Sequence, residues 1–252
     1  MKQLSHMMQR RKKRLSMLTK TEYRTIGFAG SGQIECIAGC AILLRKQGKK
    51  LLLMDFSKTA ELRSMIPLPK DLEYARNFVL SYREYDYINA DDSTNVEDYA
   101  FDYDFVLVDF GRNIHHAQIG VCNEMFYITD LRRHNVLILK QYEKTENQHV
   151  ILKHFLPGGE TPESIAEELN IDLTHLFVLP YEEKEMIPFL CGTPIDKINF
   201  RHFSYDTRNL ISHIINEKNE IIYEPNKVQG LGKKPRNIIE RFCWKGREHV
   251  WS

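Results

Sequence analysis

The sequence predicts an α/β protein with a mainly parallel, twisted sheet flanked by helices. From Tyr23 onwards, short apolar runs alternate with helical stretches, which is the pattern of βα units. The chain has 252 residues, 42% of them hydrophobic, which is enough to bury one full core. We therefore expect a basic segment over 1–22, a single α/β domain over 23–224, and a basic linker and tail over 225–252.

In the first half of the domain, the sequence pattern predicts two strands and a helix, followed by a stretch with a weaker pattern. "RTIGFAG" (24–30) predicts a strand that runs into a glycine turn, and "IECIAGCAILLRKQG" predicts a helix that stops at Gly48. The apolar residues of that helix are too dense for an exposed face. "KKLLLMDF" then predicts a buried strand, and the acidic, tyrosine-rich stretch after it predicts a helix near 70–82.

The second half continues the alternation of strands and helices. Thr161 or Ser164 can cap the helix that follows the loop at 157–160, because either hydroxyl can accept from a free N–H of its first turn. In chain order, the predicted elements are strands in "YDFVLVDFG" and "NEMFYITD", a helix in "LRRHNVLILKQYEK", a strand in "QHVILKHFL", the capped helix in "TPESIAEELN", a strand in "LTHLFVLPYEE", and an amphipathic helix over 203–223.

Charge is distributed unevenly along the chain. The formal net charge of the chain is +1. Residues 1–20 carry seven Lys/Arg and no acid, and residues 226–252 carry seven Lys/Arg and two acids. The residues between these two ends therefore have a net charge of about −11. Such basic ends are either solvated tails or contacts for anionic lipid, nucleic acid or an acidic partner. No apolar stretch long enough to span a membrane and no signal-peptide pattern is present, so we expect a cytoplasmic protein.

The cysteines and histidines predict no metal site. Five cysteines without a CxxC pair are typical of free thiols in a reducing compartment. Cys36 and Cys40 lie four apart on one helix face, where we expect them to pack as small hydrophobes. His115 and His116 are adjacent, and neighbouring residues of a helix point to different faces, so one ion cannot easily use both.

The stretch "FAGSGQIECIAGC" (28–40) lies where a phosphate-binding loop is expected, between the first strand and the first helix. A phosphate loop needs glycines that let backbone N–H groups close around the phosphates, a lysine that neutralises their charge, and a Ser/Thr hydroxyl that holds Mg²⁺. Only the glycines are present here.

From Phe28 to Asp55 the chain resembles the MinD/ParA group of deviant P-loop ATPases, whose loop reads KGGVGKTT and is followed by a helix and a "GKKVLLID" strand. Gly30 and Gly32 keep the glycines of that loop. The other positions have changed: Phe28 replaces the first lysine, Ser31 lies between the glycines, Gln33 replaces the phosphate-clamping lysine, Ile34 the Mg²⁺-binding threonine, and Glu35 the following threonine. The resemblance implies a vestigial nucleotide site.

Further matches extend the resemblance over roughly 24–200. Asp55 matches the acid that helps catalysis in the family, and Asp109 matches the acid of its Mg²⁺-proximal switch strand. The two acids are either a surviving Mg²⁺ shell or loop caps at strand ends; the missing threonine favours caps. Residues 163–195 resemble the family's late segment. Lys153 and His154 stand where the family has an Asn-Arg pair that reads adenine.

The lost charges decide what we expect of the site. Each charge-assisted contact to phosphate is worth about 1.5–3 kcal/mol, and two cations are missing. Glu35 adds a negative charge beside the helix N-terminus, where the phosphate would lie. We therefore expect no catalytic residue, no metal and no cofactor. Binding of ATP and Mg²⁺ without turnover is the open alternative.

The resemblance implies a localisation or scaffold protein that binds protein partners of a membrane-associated assembly, a pilus or secretion system, and that can form a homodimer. The TadZ and CpaE types of pilus-localisation protein are our closest comparison. Five cations, Arg10, Arg11, Lys12, Lys13 and Arg14, are the candidates for contact with an anionic membrane at the inner face of the plasma membrane, or with nucleic acid. The alternative is a nucleotide-switched ATPase that borrows a cation and acts in DNA partition, division or flagellar positioning.

Overall fold

The computed structural model describes residues 23–69, 72, 76–140, 145, 147–156 and 160–216. The predicted segments 1–22 and 225–252, with the basic run 10–14, lie outside them. Within the described residues the strands are β1 (Arg24–Gly30), β2 (Leu51–Asp55), β3 (Val79–Tyr82), β4 (Tyr85–Asn89), β5 (Phe105–Asp109), β6 (Glu124–Thr129), β7 (Gln148–Phe155) and β8 (Leu176–Pro180). The α-helices are α1 (Gln33–Lys46), α2 (Glu61–Ser64), α3 (Glu97–Ala100), α4 (Arg133–Lys140), α5 (Pro162–Leu169), α6 (Glu183–Leu190) and α7 (Tyr205–Ile215).

The eight described strands form one sheet in the order β3-β4-β2-β5-β1-β6-β7-β8. All neighbours are parallel except β3 and β4, which form an antiparallel hairpin at one edge. β1 lies between β5 and β6, so that Phe28 is in register with Asp109 on one side and Phe126 on the other. This arrangement confirms the predicted mainly parallel sheet flanked by helices, and it brings the carboxyl ends of β1, β2 and β5 together.

Helix α1 lies in the core of the protein. Its residues are apolar on nearly every face, and a glycine at each end lets the chain turn sharply. It begins after Gly32, whose φ is 78°, and the chain turns away at Gly48, whose φ is 70°. Nearly every residue between is buried, as the dense apolar pattern predicts. Gly39 allows α7 to approach closely, since a Cβ there would lie 2.2 Å from Ile211 Cδ1. The Arg24 side chain ties the end of α7 to β1 by donating to the Ile215 carbonyl at 2.9 Å.

The other face of the sheet is covered by α4 and α5. Val136 and Leu139 of α4 and Ile165 of α5 belong to one apolar cluster with side chains of β6 and β7. Thr161 is the cap of α5, because its hydroxyl accepts from the Ser164 N–H at 3.2 Å. The structure thus selects the first of the two predicted caps.

The helix predicted near 70–82 is wrong over its described C-terminal part. Val79–Tyr82 is strand β3, and a two-residue turn with Arg83 at φ 53° leads into β4. Tyr85 and Tyr87 of β4 are fully buried against the sheet. The four residues of β3 pair with this buried strand, and the pairing outweighs the local helix pattern, since strand preference depends on the neighbouring strand.

The cysteines behave as packing residues. The described thiols are free, and those of Cys36 and Cys40 are buried in α1. Burial raises the pKa of Cys36 to about 12, so this thiol is inert near neutral pH. Among the described residues, no group of three or more His, Cys, Asp or Glu is arranged to hold a metal ion. A helix long and apolar enough to cross a bilayer is likewise not found in the described part of the chain.

Gly30 tests how closely the backbones of β1 and β6 approach each other. Its φ is 122°, and a Cβ would lie 2.0 Å from the Ile128 carbonyl oxygen. We expect Gly30→Ala to lower the free energy of unfolding by about 3 kcal/mol or more, measured by urea denaturation, because strain and a backbone clash combine.

Two matched glycines separate these causes. Gly48 has φ 70° but open space around its Cβ position, so Gly48→Ala should lose about 1 kcal/mol from strain alone. Gly120 has neither feature, and Gly120→Ala should stay within ~0.5 kcal/mol of the wild type. Equal losses in Gly30→Ala and Gly48→Ala would contradict the close approach.

Candidate functional site

The loop between β1 and α1 consists of two residues, Ser31 and Gly32. The positive φ of the glycines on either side of Ser31 makes the sharp reversal possible. The Gly30 N–H donates to the Gly111 carbonyl at 2.7 Å, and the Ser31 N–H donates to the Ile128 carbonyl at 2.9 Å. These two amides are therefore engaged inside the protein. The N–H groups of the first turn of α1 have no partner within the helix and give its N-terminus a partial positive charge.

A buried ion pair lies over this loop. Lys153 of β7 places Nζ 3.0 Å from Glu35 Oε2, and each side chain is only 8% exposed. The same Nζ donates to the Gly32 carbonyl at 3.0 Å. A Cβ on Gly32 would lie 3.1 Å from Lys153 Nζ and 3.5 Å from Glu35 Oε2. The carboxylate of Glu35 therefore lies at the N-terminus of α1, close to the backbone of the loop.

The sequence analysis did not foresee this pair. The resemblance placed Lys153 and His154 where the family has an Asn-Arg pair, and the structure brings the charge of Lys153 to Gly32, 121 residues away in sequence. The register of β7 against β8 is shifted between Leu152 and Phe155, and His154 has φ 58°. A lysine inside an apolar strand is the only sequence signal that pointed to it.

A second cation contacts the loop from its solvent side. The Arg132 side chain is exposed, and its Nη2 lies 3.5 Å from the Ser31 hydroxyl. Arg132 is also paired with Asp130, which accepts from its Nε at 2.7 Å. Both cations at the loop are thus already matched with an acid of the same chain.

The structure places Asp55 and Asp109 side by side at the ends of β2 and β5, where they are partners in the parallel register. Both are fully buried. Asp55 accepts from the Ser57 N–H at 2.8 Å and the Ser57 hydroxyl at 2.6 Å, while Asp109 accepts from the Gly111 N–H at 2.7 Å. Through these bonds, each carboxylate holds the loop that follows its own strand.

Burial, and after it the neighbouring charge of Asp55, raise the pKa of Asp109 to about 7, although interactions with Gly111 and Gln33 oppose the shift. Burial also raises the pKa of Asp55, against the bonds from Ser57. Two carboxylates that share a buried site cannot both ionise easily, which is the general cause. The pair therefore carries less than two negative charges near neutral pH.

An open cavity of about 680 Å³ adjoins the loop. Its lining combines loop residues with the segments that follow β2, β4 and β5, and it includes the exposed cations Lys58, Arg76 and Arg112 as well as the acids Glu61, Asp91 and Asp92. This mixed charge gives the cavity no strong preference for an anion.

The two adjacent histidines lie on a loop rather than on a helix, and they point to different surroundings. His115 is exposed, whereas the ring of His116 packs against Phe56 and Phe110 at centroid distances of 4.5 and 5.0 Å. Burial lowers the pKa of His116, and its Nδ1 accepts from the Gln118 N–H at 3.2 Å. His116 acts as a packed aromatic ring and a turn cap.

The arrangement of strands, helices and loop is shared with solved structures. No family model and no curated protein matches the chain. A ParA family ATPase from Chlorobium tepidum is 17% identical with a TM-score of 0.53, covering 76% of this chain and 100% of that one. A chain of the MinC:MinD cell division protein complex of Aquifex aeolicus is 18% identical with a TM-score of 0.52, covering 75% of this chain and 95% of that one. The pNOB8 ParA bound to nonspecific DNA is 13% identical with a TM-score of 0.51, over 77% and 97%. The chain therefore has the fold of the ParA/MinD-type P-loop ATPases.

Proposed function

We propose that this protein is a catalytically inactive relative of the ParA/MinD ATPases that acts as a localisation or scaffold protein. The single observation that carries the proposal is the buried Glu35–Lys153 pair at the N-terminus of α1. A helix N-terminus at this place attracts an anion, and here a carboxylate of the protein lies beside it. Phosphate would have to displace Glu35 and separate it from its buried counterion.

The remaining residues also do not fit ATP and Mg²⁺. Ile34 offers no oxygen at the position where the resemblance implies a metal-binding threonine. Gln33 is buried and interacts with the Asp109 carboxyl instead of carrying a charge to a phosphate. Phosphoryl transfer relies on a cation and a metal to stabilise the transition state, so the residues of this loop do not support hydrolysis.

The partners we propose are proteins of a membrane-associated assembly, a pilus or secretion system, as in the TadZ and CpaE types. One solved relative is described in complex with the protein MinC and another with DNA. The charge of about −11 between the basic ends disfavours a DNA-binding body, since DNA binding depends on neutralised phosphates. A homodimer of the scaffold is part of the proposal.

The basic run Arg10–Arg14 would attach the scaffold to anionic lipid at the inner face of the plasma membrane. Each cation near such a surface is worth about 1 kcal/mol, so five of them give reversible attachment. Nucleic acid is the competing ligand for the same charges.

The alternative is a nucleotide-switched ATPase with a divergent loop, active in DNA partition, division or flagellar positioning. The contact between Arg132 and the Ser31 hydroxyl is the observation in its favour, because an exposed arginine at the loop is available to replace the lost lysine. Its pairing with Asp130 weakens this interpretation.

The first prediction concerns nucleotide binding. Isothermal titration of the purified chain with ATP and Mg²⁺ should give no binding up to millimolar ATP, and phosphate release should equal that of buffer, because Glu35 and Ile34 leave no place for phosphate and metal. An active ParA-family ATPase assayed in the same buffer shows that the measurement is sensitive. Mg²⁺-dependent binding in the micromolar range would reject the scaffold and favour the nucleotide switch.

The second prediction concerns the buried carboxyl of Asp109. Its pKa is raised in the folded state, so its contribution to stability is complete below pH 4 and is lost as the pH rises through about 7. Asp109→Asn cannot ionise and should therefore gain stability over the wild type between pH 4 and pH 8. The gain should reach at least ~1.4 kcal/mol, the equivalent of one pKa unit.

Urea denaturation at several pH values measures this difference between variant and wild type. His149 changes stability in the opposite direction, because burial lowers its pKa to about 4, but it is common to both proteins and cancels. Glu167 of α5 carries an exposed carboxyl, so Glu167→Gln should give a flat difference. A flat difference for Asp109→Asn would show that this carboxyl ionises normally.

The third prediction concerns the basic N-terminal run. Replacing Arg10–Arg14 by glutamine in the full chain should lower binding to vesicles of anionic phospholipid at least 100-fold in a flotation assay, because about five favourable charge contacts are removed. The matched control replaces five cations of the other end: Lys227, Lys233, Lys234, Arg236 and Arg241. Equal losses in both variants, or binding to duplex DNA but not to vesicles, would contradict the specific membrane role.

A further inference from the structure

Three histidines pack together at the amino ends of β7 and β8, away from the loop between β1 and α1. His149 is the second residue of β7, His175 ends a 3₁₀ turn directly before β8, and His213 lies in the last turn of α7. The rings of His149 and His175 are stacked, with their centroids 4.9 Å apart. We call these three residues the histidine cluster.

The surroundings of the cluster are aromatic. The ring of His149 also stacks on Phe126 of β6, at a centroid distance of 5.0 Å. The ring of His213 lies 5.2 Å from that of Phe177 in β8. In all three histidines, Nδ1 is buried and has no hydrogen-bond partner among the described residues. A protonated imidazole carries N–H donors on both nitrogens, so each added proton would leave a donor unpaired in an apolar environment.

The charged groups at the end of α7 do not favour a further cation. Arg24 of β1 is paired with Glu124, and its positive charge acts on His213. The Arg24 side chain also donates to the Ile215 carbonyl at 2.9 Å. The C-terminus of a helix attracts one cation, and here an arginine of the sheet already fills that place.

Two further titratable groups lie near these residues. Asp172 interacts with His175, but it is exposed and accepts from the N–H and the hydroxyl of Thr174 at 2.8 and 2.7 Å. Cys40 of α1 interacts with Arg24, and burial raises the pKa of its thiol, so it is uncharged near neutral pH. Neither group is a buried counterion for a protonated histidine.

The titration of the cluster follows from this environment. Burial, and after it the neighbouring His175 and His213, lower the pKa of His149 to about 4. Burial, and after it Arg24, lower the pKa of His213. A histidine with a lowered pKa stabilises the packed state above its ordinary pKa of about 6.5, and this stabilisation is lost as the pH falls towards the lowered value. Acid therefore favours any state in which these rings meet water.

We propose that the histidine cluster is an acid-sensitive latch, which holds the last turn of α7 against the sheet at neutral pH and releases it when the imidazoles take up protons. β7 is fixed by backbone pairing to β6 and β8 on its two sides. The last turn of α7 has no such pairing to the sheet and is held by side chains, so it is the part that can move. The latch is independent of the proposed function, because it uses no residue of the loop before α1.

Hydrogen exchange of the full chain, followed by NMR and corrected for the intrinsic effect of pH, tests the latch. Protection of the Ile214 and Ile215 amides should fall at least tenfold from pH 7 to pH 5. The reason is that opening gains about tenfold per pH unit for each imidazole that is protonated only in the open state. Protection that does not change with pH would overturn the inference.

The amides of β5 distinguish local release from loss of the whole fold. They exchange through complete unfolding, in which the raised pKa of Asp109 acts against the lowered pKa of His149. Their protection should therefore not fall between pH 7 and pH 5. Equal losses of protection in α7 and β5 would show that acid acts on the whole domain, and the latch would be rejected.

The double variant His149→Phe/His213→Phe keeps two rings in the aromatic environment and removes both protons. Its protection in α7 should stay within about twofold between pH 7 and pH 5, because neither phenyl ring titrates. His134→Gln is the matched control, since it removes an exposed imidazole of α4 outside the cluster. It should keep the drop of the wild type. A double variant that keeps the drop, or a control that loses it, would contradict the role of the cluster.

A measurement on the wild type decides the question if the double variant fails to fold. The assigned ring signal of His149 should titrate at least one pH unit below the ordinary value of about 6.5. Protection of the last turn of α7 should decrease over the same pH range. A ring of His149 that titrates at the ordinary value would show that the cluster accepts a proton without cost, and this outcome would reject the latch.

Discussion

The positive N-terminus of α1, buried where the strands end, is the constraint on which the site depends. The first-turn N–H groups of a helix have no partners within it, and the short Ser31–Gly32 loop brings them against the sheet. A negative charge is favourable there. Glu35 provides it, and burial then requires a counterion, which Lys153 supplies. A carboxylate in the first turn of α1 is thus linked to a lysine on a strand that is distant in sequence.

The same logic explains the carboxyl pair at the ends of β2 and β5. Adjacent buried acids need a metal or a proton to reduce their repulsion. In this chain the position that the resemblance assigns to a metal-binding threonine is Ile34, and protonation near neutral pH reduces the charge of Asp109. Bonds from Ser57 and Gly111 hold the two acids in place as loop caps. These bonds explain the position of the two acids without a bound nucleotide.

Sequence reasoning predicted the central βα units because their signals are local. The buried strands and α1 are continuous apolar runs bounded by glycine, and burial confirms them. The β3–β4 hairpin was missed because its burial depends on Tyr85 and Tyr87 packing against the sheet, which no local pattern records. The pairing of Lys153 with Glu35 was not foreseen, because it joins residues that are far apart in sequence and depends on how β7 lies beside the loop.

The glycines of the loop are required by the path of the backbone, independently of any ligand. Gly30 cannot be replaced without a clash against the Ile128 carbonyl, and Gly32 combines a positive φ with close contact to Lys153 and Glu35. Both are required by the connection between β1 and α1 whether or not phosphate binds. The charges carry no such requirement, because a lysine that clamps phosphate contributes little to the backbone path. In a chain with this fold, the nucleotide function is therefore indicated by the cations and the metal ligand, while the glycines indicate only the path of the loop.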